Sequence, residues 1–135
     1  MKKNYTNWHP IKKALNNSEE DRVFFHEREI WFCHLGENVG FEQDGRGDDF
    51  LRPIVIYRKF NNEIFWAIPL TKSSDKIKSG AEKYYYNFCF SPNIISVAIL
   101  SQIRLIDAKR LVRQIGMITE DDFEKLNKKF KDLLP

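Results

Sequence analysis

The 135 residues of this chain are enough for one domain with a real core and too few for two of ordinary size. A net charge of +3 and a pI near 8.8 fall short of the strongly basic balance that by itself marks a nucleic-acid domain. No apolar run approaches the ~20 residues that cross a bilayer, and no charged segment followed by an apolar one opens the chain. With Cys33 and Cys89 both inside apolar strand-like runs, the expectation is a soluble, reduced, cytoplasmic protein.

The first element is a helix candidate, with Trp8, Ile11, Ala14 and Leu15 at helical spacing, Asn7 as N-cap and Pro10 tolerated in the first turn. Turn formers and acids from Asn16 to Asp21 break that pattern, and the chain to His26 reads as a linker. This divides the sequence into an N-terminal helical extension, 1–26, and a domain, 27–135. Glu29–Leu35 mixes aromatic and β-branched residues as a strand does, and Ile54–Phe60 begins with a continuous apolar run suited to a buried strand. Between them lies a long polar loop, Gly36 to Pro53, whose length and glycines mark it as a binding or catalytic loop.

Asn61-Asn62 predicts a two-residue hairpin turn at positive φ, and Pro69 predicts a sheet edge or strand end, with the chain leaving the sheet at Thr71. Lys72, Lys76, Lys78 and Lys83 then surround a second polar loop that leads into Tyr84, Tyr85 and Tyr86. Basic residues beside aromatic ones suit a surface that tracks a backbone and stacks bases, although a solvated loop entering an aromatic strand explains them as well. Tyr84–Phe90 reads as a strand, Ser91-Pro92-Asn93 as a turn, and Ile94–Asp107 as β structure interrupted at Ser101-Gln102. About five or six short strands fit a small barrel. Thr119 with Asp122 three residues on resembles a capping box, and Phe123, Leu126, Phe130, Leu133 and Leu134 form the stripe of a closing amphipathic helix.

The residues offer little familiar catalytic machinery. Cys33 and His34 are neighbours on a strand and face opposite sides, so Cys33 reads as core rather than as a nucleophile. No paired Cys/His spacing suits zinc, and Asp44, Asp48 and Asp49 depart from the calcium-loop pattern, so no metal site or cofactor is expected. On residues alone Arg52 reads as a surface ion-pair partner of Asp48 or Asp49, and Thr71 as a turn residue.

Five short motifs in a fixed order change that reading: the Glu29-Ile-Trp strand with its Leu-Gly, Gly40-Phe-Glu-Gln43, Arg52-Pro53 before an aliphatic strand, Pro69-Leu-Thr71, and Ser101-Gln-Ile-Arg-Leu-Ile-Asp107 before a terminal helix. In this order the chain resembles the MazF/PemK toxins of bacterial toxin–antitoxin systems, over about Arg28 to Leu134. The resemblance implies an SH3-like β-barrel, a homodimer, metal-independent cleavage of single-stranded RNA, and a cognate antitoxin partner. It also implies Arg52, Thr71 and Glu42 as the catalytic group, with Gln43, Lys72, Gln102 and Arg104 binding substrate. The longer 44–51 loop, Lys72 where the family commonly has Ser, and residues 1–26 depart from the usual form.

The residue types suit such chemistry. RNA supplies its own nucleophile, the 2′-hydroxyl, so the protein need only orient the strand, move protons and stabilise charge. Arginine binds two phosphate oxygens through its planar fork. Thr71 is able to donate to the same phosphate, and Glu42 is the carboxylate in a matching motif that can take the 2′-proton. Two alternatives remain at this stage. One is a gyrase-binding toxin of the same fold; those end in Trp-Gly-Ile, whereas this chain ends Asp-Leu-Leu-Pro. The other is a nucleic-acid-binding module without cleavage.

Overall fold

The computed structural model describes residues 2–72 and 80–135. Helix α1 (Tyr5–Asn17) is followed by an extended segment and strand β1 (Glu29–His34). Strands β2 (Leu51–Lys59), β3 (Ile64–Lys72), β4 (Tyr85–Ser91), β5 (Ile94–Ile99), β6 (Arg104–Asp107) and β7 (Leu111–Met117) come next, and helix α2 (Glu120–Lys131) closes the chain. The fold is mainly β. Its antiparallel sheet runs β4-β5-β3-β2-β1-β7, with β6 paired to the first half of β3. The sheet curls until its two ends meet, and Gly116 on β7 makes the approach possible: a Cβ there would lie 2.5 Å from the Phe90 ring on β4.

Both faces of the sheet are covered over Ile54 to Ile56 of β2 and Ala67 to Leu70 of β3, which is why Ile54-Val55-Ile56 is a continuous apolar run and not an alternating one. On one face Trp31, Cys33, Ile54, Ile56, Phe65 and Ala67 pack with Phe25 and Ile106. On the other, Ile30, Val55, Ile68 and Leu70 pack with Leu100, Ile118 and Leu126 of α2. Thr119 caps α2 as expected, accepting from the Asp122 amide at 3.1 Å. Leu126 is buried, Phe123, Phe130 and Leu133 are half-buried, and Leu134 is exposed.

Several expectations need correction. There are seven strands among the described residues. The one missed, β7, is an edge strand with Leu111 alone buried, so Arg113, Gln114 and Gly116 hide the alternation. Helix α1 begins earlier than expected: Asn4, not Asn7, is the cap and accepts from the Asn7 amide at 3.2 Å, while Ala14 is exposed. Pro10 therefore sits inside the helix rather than in its first turn. The segment read as a linker places Phe25 in the core against Phe65, with ring centroids 4.9 Å apart.

Asn61 and Asn62 do not take positive φ. Asn61 Oδ1 instead accepts from the amides of Glu63 and Ile64, a side-chain turn within a wider connection. Pro69 is buried inside β3, where the partner on that strand's outer edge changes from β6 (up to Ala67) to β5 (from Leu70). A missing ladder donor costs least at such a change of partner.

Candidate active site

β2 begins at Leu51, so Arg52 and Pro53 lie within the strand rather than before it. β3 runs to Lys72, so Thr71 is a strand residue and not a turn residue. The two strands pair as Ile54 with Pro69 and Val55 with Ile68; carried two residues further, the same register sets Arg52 across from Thr71. Thr71 is half-buried and also faces Val97 of β5.

Arg52 is 7% exposed, and among the described residues it pairs with neither the Asp48 nor the Asp49 carboxylate. Its Nε donates to the Asp44 carbonyl at 2.5 Å and Nη1 donates to the Leu70 carbonyl at 3.2 Å. Nη2 has no partner among the described residues. Burial lowers its pKa from the ordinary arginine value, Arg46 nearby lowers it further, and Asp44 opposes both. With that ordinary value above 12, the guanidinium keeps its charge at neutral pH. It is a buried cation fixed by two carbonyls, held where charge on an incoming anion counts most.

Beside it the loop and the strand that follows β5 form a cleft of about 330 Å³ lined by Glu42, Gln43, Gln102 and Arg104, with Asn38 and Ser101. Gln102 ties its two walls together. Its Oε1 accepts from the Gln43 amide at 3.4 Å, and its Nε2 donates to the Phe41 carbonyl at 3.2 Å. Arg104 is half-buried on β6 opposite Ala67. Glu42 is exposed; its Oε1 accepts from the Val39 amide at 2.8 Å, while Oε2 has no partner among the described residues.

Six of the seven expected residues thus fall into two adjoining groups. Glu42, Gln43, Gln102 and Arg104 line the cleft, Arg52 donates to the carbonyl of Leu70, the residue before Thr71, and the Asp44 carbonyl joins the groups. Lys72 stands apart: it is exposed across from Ser96 at the end of β3. Lys83 lies over the Tyr84 ring, 5.0 Å from its centroid, and Lys76 and Lys78 lie outside the described residues.

Asn38 and Asp44 were missed. Asn38 Nδ2 bridges the Leu35 and Gln43 carbonyls at 3.1 and 2.8 Å, and so closes the loop on itself. Asp44 acts on Arg52 through its main chain, which no side-chain pattern announces. Cys33 is buried completely and its thiol is pushed up to about 12, so it is an inert core residue as the sequence suggested.

A family model described as PemK-like, MazF-like toxin of type II toxin–antitoxin system matches residues 26–134. No curated protein matches the chain. Among solved structures, a Mycobacterium tuberculosis toxin, MazF-mt6, is similar with a TM-score of 0.56 at 17% identity, over 78% of this chain and 94% of that one. Identity that low bears on the fold alone.

Proposed function

Because the chain belongs to the PemK-like, MazF-like toxins of type II toxin–antitoxin systems, we propose that it is an endoribonuclease that cuts single-stranded RNA by 2′-hydroxyl attack. What supports this most is the buried Arg52, held by two carbonyls beside Thr71 with Nη2 unengaged among the described residues. A phosphate placed there meets a preorganised positive charge and pays no rearrangement for it. Arg52 neutralises the non-bridging oxygens as the phosphorane forms, and Thr71 donates a hydrogen bond to one of them. Glu42 takes the proton from the 2′-hydroxyl as O2′ bonds to phosphorus. The bond from phosphorus to O5′ then breaks and O5′ gains a proton from water, which leaves a 2′,3′-cyclic phosphate and a 5′-hydroxyl. Gln43, Gln102 and Arg104 hold the flanking strand in the cleft, and Lys72 meets its backbone further along.

The experiment is cleavage of an RNA oligonucleotide. Arg52→Ala lowers turnover about 10²- to 10³-fold and Thr71→Ala less, as expected for loss of a charge-stabilising donor. Cutting persists in chelator, and deoxyribose at the cut site abolishes it while leaving binding largely intact. Inhibition by chelator, or cutting of the deoxy-substituted strand, overturns the mechanism.

The partners follow the same reading. An acidic antitoxin segment competes with RNA for the cleft that holds Arg104 and adjoins Arg52, and two copies of the chain associate in the cytoplasm through exposed apolar surface such as Trp66 and Leu105. Light scattering that gives the mass of one chain, 16.1 kDa, removes the dimer. An acidic partner that binds tightly yet leaves cleavage unchanged removes the competition.

A further inference from the structure

Resting on the active-site reading above, we propose that α1 and the residues leading into it are a positioning element for that site: Lys3, acting through Asp44, sets the carbonyl that aims Arg52. Lys3 Nζ donates to Asp44 Oδ2, and Asp44 Oδ1 accepts from the Asn38 amide at 2.6 Å. With both carboxylate oxygens engaged, the side chain cannot swing and the residue's backbone is held. Its carbonyl accepts from Arg52 Nε. Fixing Nε, and Nη1 through Leu70, fixes the plane of the guanidinium and the direction in which Nη2 points.

The other contacts of the same stretch land on the same loop. Tyr5 donates to the Asn38 carbonyl at 2.8 Å. The Trp8 indole lies against Gly36, where a Cβ would come within 2.1 Å of the ring and where φ is +77°, so only glycine admits it. Trp8 also packs on Phe50, with ring centroids 5.5 Å apart, at the far end of the loop. The helix is anchored at its other end, where Lys109 Nζ donates to the carbonyls of Asn16 and Ser18 at 3.1 and 3.2 Å. It therefore spans from the turn between β6 and β7 to the loop that carries Glu42, Gln43 and Asp44. A helix braced on the barrel and pressed on a catalytic loop transmits position rather than charge.

Lys3 belongs to neither apolar cluster and its one ion pair among the described residues is with Asp44, so Lys3→Ala folds. In RNA cleavage, Lys3→Ala lowers kcat about 10- to 100-fold, the scale of a misplaced catalytic group, with KM nearly unchanged, and Lys3→Arg restores most of the loss. In an Arg52→Ala background, Lys3→Ala adds nothing, because the group it positions is gone. Full kcat in Lys3→Ala, or a loss that adds undiminished to that of Arg52→Ala, overturns the inference. Hydrogen exchange of the Arg52 Nε–H, followed by NMR without RNA, reads the same link independently of the reaction. Faster exchange in Lys3→Ala supports it, and unchanged exchange overturns it. A wild-type chain that cuts no RNA removes the functional reading, and the exchange measurement then still decides whether Lys3 positions Arg52.

Discussion

The two helices pack on different parts of the barrel, α2 on the central strands and α1 on the loop before β2 and the turn after β6, and are attached by different forces. Helix α2 presents Leu126, Phe123 and Phe130 to the second core, and the Tyr57 ring lies 5.9 Å from Phe123 and 5.1 Å from Phe130. Helix α1 buries one residue, Trp8, and is otherwise attached through Lys3 to Asp44, Tyr5 to Asn38, and Lys109 to its last carbonyls. Apolar contact is strong but non-directional and tolerates small shifts. Hydrogen bonds and ion pairs contribute less to stability and demand a fixed geometry. The difference teaches that α2 serves chiefly to hold the barrel together, whereas α1 serves chiefly to fix where the loop sits.

The largest effect that tests this division is at Leu126, which is fully buried. Leu126→Ala costs about 2–5 kcal/mol of unfolding free energy, as a leucine truncated in a packed core does. Denaturant unfolding measures it. Residual RNA cleavage per folded molecule stays close to wild type, because α2 contributes no residue to the lining of the cleft. A Leu126→Ala protein that unfolds normally but cuts poorly would erase the distinction between the helices, since the stabilising helix would then also position the site.

The same difference decides what was legible in the sequence. Helix α2 could be placed from residues alone because a periodic apolar stripe and a Thr119 cap are local signals, each carried within a few residues. The core strands were legible for the same reason: the aliphatic run at Ile54 has one physical explanation, burial on both faces. The site needed the ordered motifs, since Arg52 by itself looks like any arginine near acids, and its real partners are two backbone carbonyls. Three features escaped for related reasons. β7 is mostly exposed and so carries no alternating pattern; Pro69 depends on which strand lies beside β3; and the contact of Trp8 with Gly36 joins residues far apart in sequence. Directional contacts between distant residues are what a chain read in order does not display.

The smallest effect, and the one that separates the two attachments most cleanly, is the acid dependence of the link between Arg22 and Asp107. Arg22 donates through Nε and Nη2 to the Asp107 carboxylate, each at 2.9 Å, and this ties the segment after α1 to the end of β6. The Arg22 hydrogen bond holds the carboxyl below its ordinary value of 3.8, and the Lys109 amide acts in the same direction. A carboxylate whose folded pKa is depressed adds stability above its unfolded value and loses it as pH falls through the folded one. Asp107→Asn keeps the shape and an acceptor for the Lys109 amide but lacks the charge. Its melting temperature should therefore lie slightly below that of wild type by an amount that is constant from about pH 5 to about pH 8, with the gap closing below 3.8. The two side chains are 29% and 40% exposed, so solvent screens the pair and the gap is small. The deficit of Leu126→Ala, in which nothing titrates, should show no such closure. A gap at Asp107 that persists unchanged in acid would mean that charge on Asp107 does not hold the segment after α1, which would then rest on Phe25 in the core and on the Lys109 contacts with the Asn16 and Ser18 carbonyls.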